Sequence, residues 1–137
     1  MKIAGEIIFG QSIIPPSQIF LLRKNVFAMV NHKPFAPGHV LVCSRAPAPK
    51  LQDLTEVETI DLFMTAHEVS RKLQQIYQIE YQVFCQNGKE AGQTVPHCHL
   101  HLIPKKAGDE SGLERKGDQV RGEEDMAKEA DSYRSCF

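Results

Sequence analysis

Apolar residues recur along this chain with two periods, and the switches between them divide it into elements. Residues 4–9 form a short apolar run that reads as a first strand, and Pro15-Pro16 breaks the pattern after it. Residues 18–22 and 26–30 are two further apolar runs joined by Arg23-Lys24-Asn25, a spacing that suits a hairpin. Pro37-Gly38 signals a turn. Residues 39–43 follow as another strand, closed by Pro47 and Pro49. The period then changes. Thr55-Glu56-Val57-Glu58 has the pattern of a capping box, so a helix is expected to begin there and run to about Gln78. Its buried stripe is read as Leu62, Ala66, Val69, Leu73 and Ile76, which recur at four and three. Residues 81–86 are again strand-like, and Asn87-Gly88 opens a loop that carries Glu90-Ala91-Gly92-Gln93-Thr94. Residues 97–103 alternate strictly, and Pro104 is expected to end that strand. Residues 105–122 have few apolar anchors and read as a mobile loop. Residues 123–134 suit a last helix with Met126, Ala130 and Tyr133 on one side. Strands, one long helix and further strands with hairpin connections predict an α+β fold around an antiparallel sheet.

Composition narrows the function classes. The 137 residues suit one compact domain, 1–137. A formal net charge of −1 gives no electrostatic case for duplex nucleic acid. No stretch approaches the roughly 20 apolar residues of a membrane span. The start, MKIAGEIIFGQ, lacks the apolar run and cleavage site of a signal peptide, so a cytoplasmic or nuclear location is expected. None of the four cysteines forms a CxxC pair. Cys43, Cys85 and Cys98 lie in apolar strand-like segments and read as buried free thiols, which leaves Cys136.

The strongest chemical signal is His97-Cys98-His99-Leu100-His101-Leu102-Ile103. With strand alternation, His97, His99 and His101 share one face while Cys98, Leu100 and Leu102 pack inward. Neighbouring same-face imidazoles are rooted roughly 6.6 Å apart, a comb with room for a phosphate between its teeth. Neutral imidazole can attack phosphorus and form a phosphoramidate, provided its other ring nitrogen is fixed as a donor. The central His99 is the natural nucleophile. His97 and His101 are read as donors to phosphate oxygens, with His101 also placed to protonate the leaving group. Gly92-Gln93-Thr94 offers backbone N–H groups, an amide and a hydroxyl to an anion, and Lys105 and Lys106 add positive potential. Gln86 ends the preceding strand within reach of the same pocket if the two strands pair. His32 and His67 read as exposed or structural, and His39 stays undecided. Zinc is the chemical rival, because two histidines at i and i+2 can share a metal. Three in line cannot easily converge, since the outer roots lie roughly 13 Å apart. A fourth ligand such as His39 could rescue a zinc site.

HCHLHLI resembles the motif of the histidine triad superfamily, with Cys98 at a position that is ordinarily apolar. EAGQTVPHCHLHLIPKKAGD (90–109), FGQ (9–11), VNHKPFAPGHVLV (30–42) and, more weakly, EEDMAKEA near the end are similar to the fragile histidine triad branch. The resemblance implies a five-stranded antiparallel sheet with two helices, in a homodimer that joins two such sheets into a continuous ten-stranded one. It implies hydrolysis of dinucleoside polyphosphates, preferentially diadenosine triphosphate to AMP and ADP, through a nucleotide bound covalently to His99. It assigns catalytic roles to His97, His99 and His101, with His39 supporting them. It implies ribose binding at Asn31, an amide at the scissile phosphate at Gln86, and a substrate loop at Gly92, Gln93, Thr94 and Val95. Magnesium or manganese is expected to ride on the substrate phosphates rather than in a protein cage. The chain departs from the branch at Ser12, where His is usual, and after Asp109, where the segment is short and lacks the aromatic residues of a substrate lid. That short tail leaves a purine nucleoside phosphoramidase as the alternative enzyme. A nucleotide-binding signalling module with slow turnover is the third reading.

Overall fold

The computed structural model describes residues 5–106 and 120–137. The chain opens with a small antiparallel hairpin, β1 (Ile7–Phe9) and β2 (Ser12–Ile14). The main sheet is made of β3 (Ile19–Leu22), β4 (Val26–Val30), β5 (Val40–Ser44), β6 (Glu80–Phe84) and β7 (His99–Lys105). Its order is β3-β4-β5-β7-β6 and every pairing is antiparallel. Two helices complete the fold, α1 (Glu56–Tyr77) and α2 (Glu123–Arg134). This is the expected five-stranded sheet with two helices.

Residue parity decides what each face of the sheet carries. Successive side chains on a strand point to opposite faces. Val26, Ala28, Val30, Val40, Val42, Leu100 and Leu102 therefore point together. They form one core with Leu62, Ala66, Val69 and Leu73 of α1 and Met126, Ala130 and Tyr133 of α2. Phe27, Met29, Leu41 and Cys43 point the other way and are covered by Ile7 and Phe9 of the β1–β2 hairpin. The register sets His99 opposite Cys43 and His101 opposite Leu41 and Phe84, so these two histidines belong to the hairpin-covered face.

Four local expectations are corrected. Residues 12–14, to which the pattern assigned no element, form β2. The first strand begins at Ile7, and Ala4 lies outside the described residues. Pro104 does not end the histidine strand. It sits inside β7 opposite Tyr81, where β5 has already ended on the other side, so its missing N–H breaks no ladder there. Ile76 is 44% exposed and leaves the buried stripe of α1, while Thr65 is buried. The loop expected over 105–122 falls mainly on 107–119, outside the described residues.

Helix α1 starts as its sequence specifies. Thr55 Oγ1 accepts the Glu58 N–H at 3.2 Å, and Glu58 Oε1 accepts the Thr55 N–H at 2.8 Å. Gln78 closes the helix in the left-handed region, at φ 55°. At the turn before β5, Gly38 has φ 95°, and a Cβ there would lie 2.5 Å from the Tyr81 hydroxyl. Thr55→Ala removes one half of the capping box. It is expected to cost about 1 kcal/mol of stability, read as a lower urea midpoint with an unchanged slope.

Candidate active site

Three of the predicted site histidines line one cavity, and one does not. The cavity has a volume of about 710 Å³, within the size range of small-molecule sites. His39, His99 and His101 line it together with Asn31, Thr94 and Val95. Phe9, Met29 and Leu41 supply apolar wall, and Lys33, Arg121 and Glu123 bring charge. Ser12 reaches the same cavity. His32 is exposed and lies on its rim, whereas His67 is exposed on α1.

His97 departs from the sequence reading. It precedes β7 and lies outside this cavity. Its Nδ1 accepts the Gly10 N–H at 3.1 Å, and its Nε2–H donates to the Ser44 carbonyl at 2.6 Å. Both ring nitrogens are thus used on backbone, and the ring cannot act as a phosphate donor without breaking one of these bonds. Burial holds its pKa below the usual histidine value, so the ring is neutral at pH 7. Its contribution to the site runs through its carbonyl oxygen, which lies 2.6 Å from His99 Nδ1. A carbonyl only accepts, so His99 carries its proton on Nδ1 and presents Nε2 as a lone pair. Phe9 fixes both rings, with centroids 5.2 Å from His97 and 4.9 Å from His99.

His101 is held in the opposite tautomer. The Phe35 N–H donates to His39 Nδ1 at 2.9 Å, which leaves His39 with its proton on Nε2. That Nε2–H faces His101 Nδ1 at 3.2 Å. The Nδ1 of His101 is therefore an acceptor, and its proton sits on Nε2. Phe84 stacks on the His101 ring with centroids 5.0 Å apart and 15° between planes. His39 Nε2–H is thus directed at His101. Burial, with the positive charges of Arg121 and Lys105, lowers the His39 pKa to about 4, so His39 is neutral at pH 7.

The remaining expected contacts divide. Asn31 stands beside His39, its Nδ2 3.0 Å from Nε2 and 3.4 Å from Nδ1, while its Oδ1 accepts the Lys33 N–H. Thr94 and Val95 reach the cavity. Gln93 does not offer its amide to a ligand, because Oε1 accepts the Gly88 N–H at 2.8 Å and Nε2 donates to the Pro49 carbonyl at 2.7 Å. The loop spends that side chain on its own closure. Gln86 is buried against Gly92 and lies outside the cavity wall. A Cβ at Gly92, which has φ 94°, would sit 2.5 Å from the Gln86 amide nitrogen, so only glycine fits there. Lys105 and Lys106 also lie outside the wall, with Lys105 Nζ 4.6 Å over the Phe35 ring. Sequence reasoning missed Arg121, which it placed in a solvated loop. A lone arginine in a polar segment carries no pattern that could have marked it.

A five-stranded antiparallel sheet backed by two helices, with alternating histidines on the face opposite those helices, defines a class of protein, and the model of the HIT domain matches residues 14–108. The chain belongs to the HIT domain family. It is 40% identical over 149 residues to the Arabidopsis thaliana bifunctional bis(5'-adenosyl)-triphosphatase/adenylylsulfatase FHIT, a match covering 94% of this chain and 83% of that protein. It is 39% identical over 147 residues to the nitrilase and fragile histidine triad fusion protein NitFhit of Caenorhabditis elegans, where it spans 97% of this chain but only 33% of the relative. The crystal structure of that fusion protein superposes with a TM-score of 0.88 over all of this chain and 31% of its own. Plasmodium falciparum diadenosine triphosphate hydrolase, solved in complex with cyclomarin A, superposes with a TM-score of 0.81 at 30% identity, covering 98% of this chain and 86% of its own.

The titration of His39 has a stability consequence. A ring with a pKa of about 4 when folded and 6.5 when unfolded binds fewer protons in the folded state between those values. Its contribution is intact above pH 6.5 and is lost as the pH falls toward 4. The stability difference between the wild type and His39→Asn is expected to narrow across that window in urea titrations.

Proposed function

We propose that this chain hydrolyses dinucleoside polyphosphates, preferentially diadenosine triphosphate to AMP and ADP, through a nucleotidyl-histidine at His99. The observation that carries the reading is the pair of adjacent imidazoles held in opposite tautomers. His99 Nε2 bears a lone pair and His101 Nε2 bears a proton, with ring centroids 5.0 Å apart. One is a nucleophile and the other a donor, as attack on a phosphate requires. In the first step the Nε2–P bond forms at the α-phosphorus and the P–O bond to ADP breaks. His101 Nε2–H hydrogen-bonds the departing phosphate oxygens. In the second step water attacks the same phosphorus, the P–N bond breaks and AMP leaves. The apolar wall from Phe9 to Leu41 suits a purine face, and Asn31 suits a ribose. The names of the Arabidopsis and Plasmodium relatives support this substrate class. The cavity wall carries one carboxylate, Glu123, with neutral hydroxyls and amides from Ser12, Thr94, Gln18 and Asn31, and it also carries Lys33 and Arg121, a poorly charged set for a hard oxygen-seeking cation. Magnesium or manganese is therefore assigned to the substrate phosphates.

The assembly is read as a homodimer. Val57, Ile60, Phe63 and Met64 of α1 are all exposed, and so is Val83 on β6, the free edge of the sheet. At the opposite edge, Arg134 donates to the Ile19 and Ser17 carbonyls and ties α2 over β3. A second copy pairing β6 to β6 continues the sheet to ten strands and covers the α1 residues. All four cysteines are free thiols, which supports a reducing compartment such as the cytoplasm or nucleus. Among the described residues no helix is long and apolar enough to cross a membrane.

His99→Asn is expected to lower diadenosine triphosphate turnover by at least about 10³-fold while leaving binding measurable, checked by product chromatography and calorimetry. Full turnover by that variant would sink the mechanism. Met64→Glu places a charge on the exposed α1 face and is expected to give a monomer by light scattering.

A further inference from the structure

A polar chain crosses the molecule from α1 to the catalytic histidines. Tyr77 Oη lies 2.5 Å from Tyr133 Oη, and Tyr133 donates to Glu129 Oε2 at 2.6 Å. Glu129 Oε1 pairs with Arg121 Nη1 at 2.5 Å, and Arg121 Nη2 donates to the Asn31 carbonyl at 2.7 Å. The Arg121 N–H also donates to the His32 carbonyl, at 3.1 Å. Asn31 in turn stands against His39, which hydrogen-bonds His101. Arg121 lines the cavity as well, and its Nε is buried with no partner among the described residues. An orphaned donor is a cost that the fold carries to keep this guanidinium in place. The Arg121–Glu129 pair is mostly buried, so solvent screens it less than a surface pair.

We propose that Arg121, held by Glu129, is a positioning residue of the nucleotide site: it clamps the 31–32 backbone and thereby sets Asn31 against His39. The inference rests on the hydrolase reading for its kinetic arm only. Lysine keeps the charge at 121 but cannot bridge Glu129 and the Asn31 carbonyl with a planar fork. The charged groups that act on His39 are Arg121 and Lys105, Lys33 and Glu123 line the same cavity, its titratable contact is His101, and Glu129 lies behind Arg121. Burial is the main cause that keeps His39 neutral, and removing the 121 charge takes away one of the two cations that add to it.

The experiment compares wild type, Arg121→Met and Arg121→Lys with magnesium and diadenosine triphosphate, recording kcat and KM from pH 4 to 8. Histidine NMR titrations of the ligand-free proteins run beside it. Arg121→Met is expected to raise KM about tenfold, the scale of one charge-assisted hydrogen bond, and to move the acid limb and the His39 titration to higher pH. Arg121→Lys is expected to raise KM but keep the acid limb and the titration near wild type. Lower melting temperatures with unchanged KM and unchanged His39 titration overturn the clamp. If Arg121→Met does not fold, an unchanged KM in Arg121→Lys overturns it. A wild type inert toward the dinucleotide defeats the hydrolase reading instead. The Asn31 side-chain amide resonances then decide the clamp, supporting it if they shift in Arg121→Lys and overturning it if they stay as in wild type.

Discussion

A single hydrogen bond, from His99 Nδ1–H to the carbonyl of His97, gives the site its direction. At 2.6 Å and out of water it decides which nitrogen of His99 holds the proton. The bond is local in sequence, two residues apart, but needs the chain to leave strand geometry at His97 and enter it at His99. That bend is enforced from outside the histidine segment. Gly10 and Ser44 hold the His97 ring, and the Ala48 carbonyl accepts the Cys98 N–H at 2.8 Å. A full strand through His97 would have put three equivalent rings in a row. The fold converts them into one ring held on backbone, one that presents a lone pair on Nε2 and one that presents a proton there.

The asymmetry between His99 and His101 has a second source. Identical side chains two residues apart on a strand have the same intrinsic chemistry, so a difference must come from their neighbours. For His101 that neighbour is His39, one residue before β5, whose own proton is set by the Phe35 N–H. Backbone groups thus fix both tautomers, one through a carbonyl and one through an amide relayed across a ring. Backbone donors and acceptors do not titrate, so the arrangement holds over the range in which His39 stays neutral.

Much of this was legible in the sequence because it follows from parity and caps. The even positions of three strands face the helices and the odd ones face the hairpin, which places Leu100 and Leu102 in the core and His99 and His101 in the cavity. Thr55 and Glu58 announced their helix in full. Loop side chains did not follow from pattern. Gln93 looks like a ligand residue in a Gly-Gln-Thr run, yet its amide closes the loop onto Gly88 and Pro49. Arg121 looks like solvated charge, yet it is brought to Asn31 by the packing of α2. His97 shares the alternation of its partners, yet it precedes the strand and its ring is held on backbone. Side-chain function in these cases depends on contacts more than 40 residues apart along the chain, which local periodicity does not encode.

Neutrality of the buried imidazoles ties the site to the stability of the fold. A protonated His39 would face Arg121 and Lys105 inside a wall that excludes water, and burial alone already disfavours the charge. Protonation would also convert its Nδ1 from acceptor to donor, opposing the Phe35 N–H. The same event that costs folding energy therefore breaks the relay to His101. Each ring nitrogen of His39 and His97 is matched by a backbone group or another ring, which lets the fold bury them without an orphaned polar atom. His39 and His97 are held by hydrogen bonds to backbone and to another ring, and charge on the cavity wall is left to Lys33, Arg121 and Glu123.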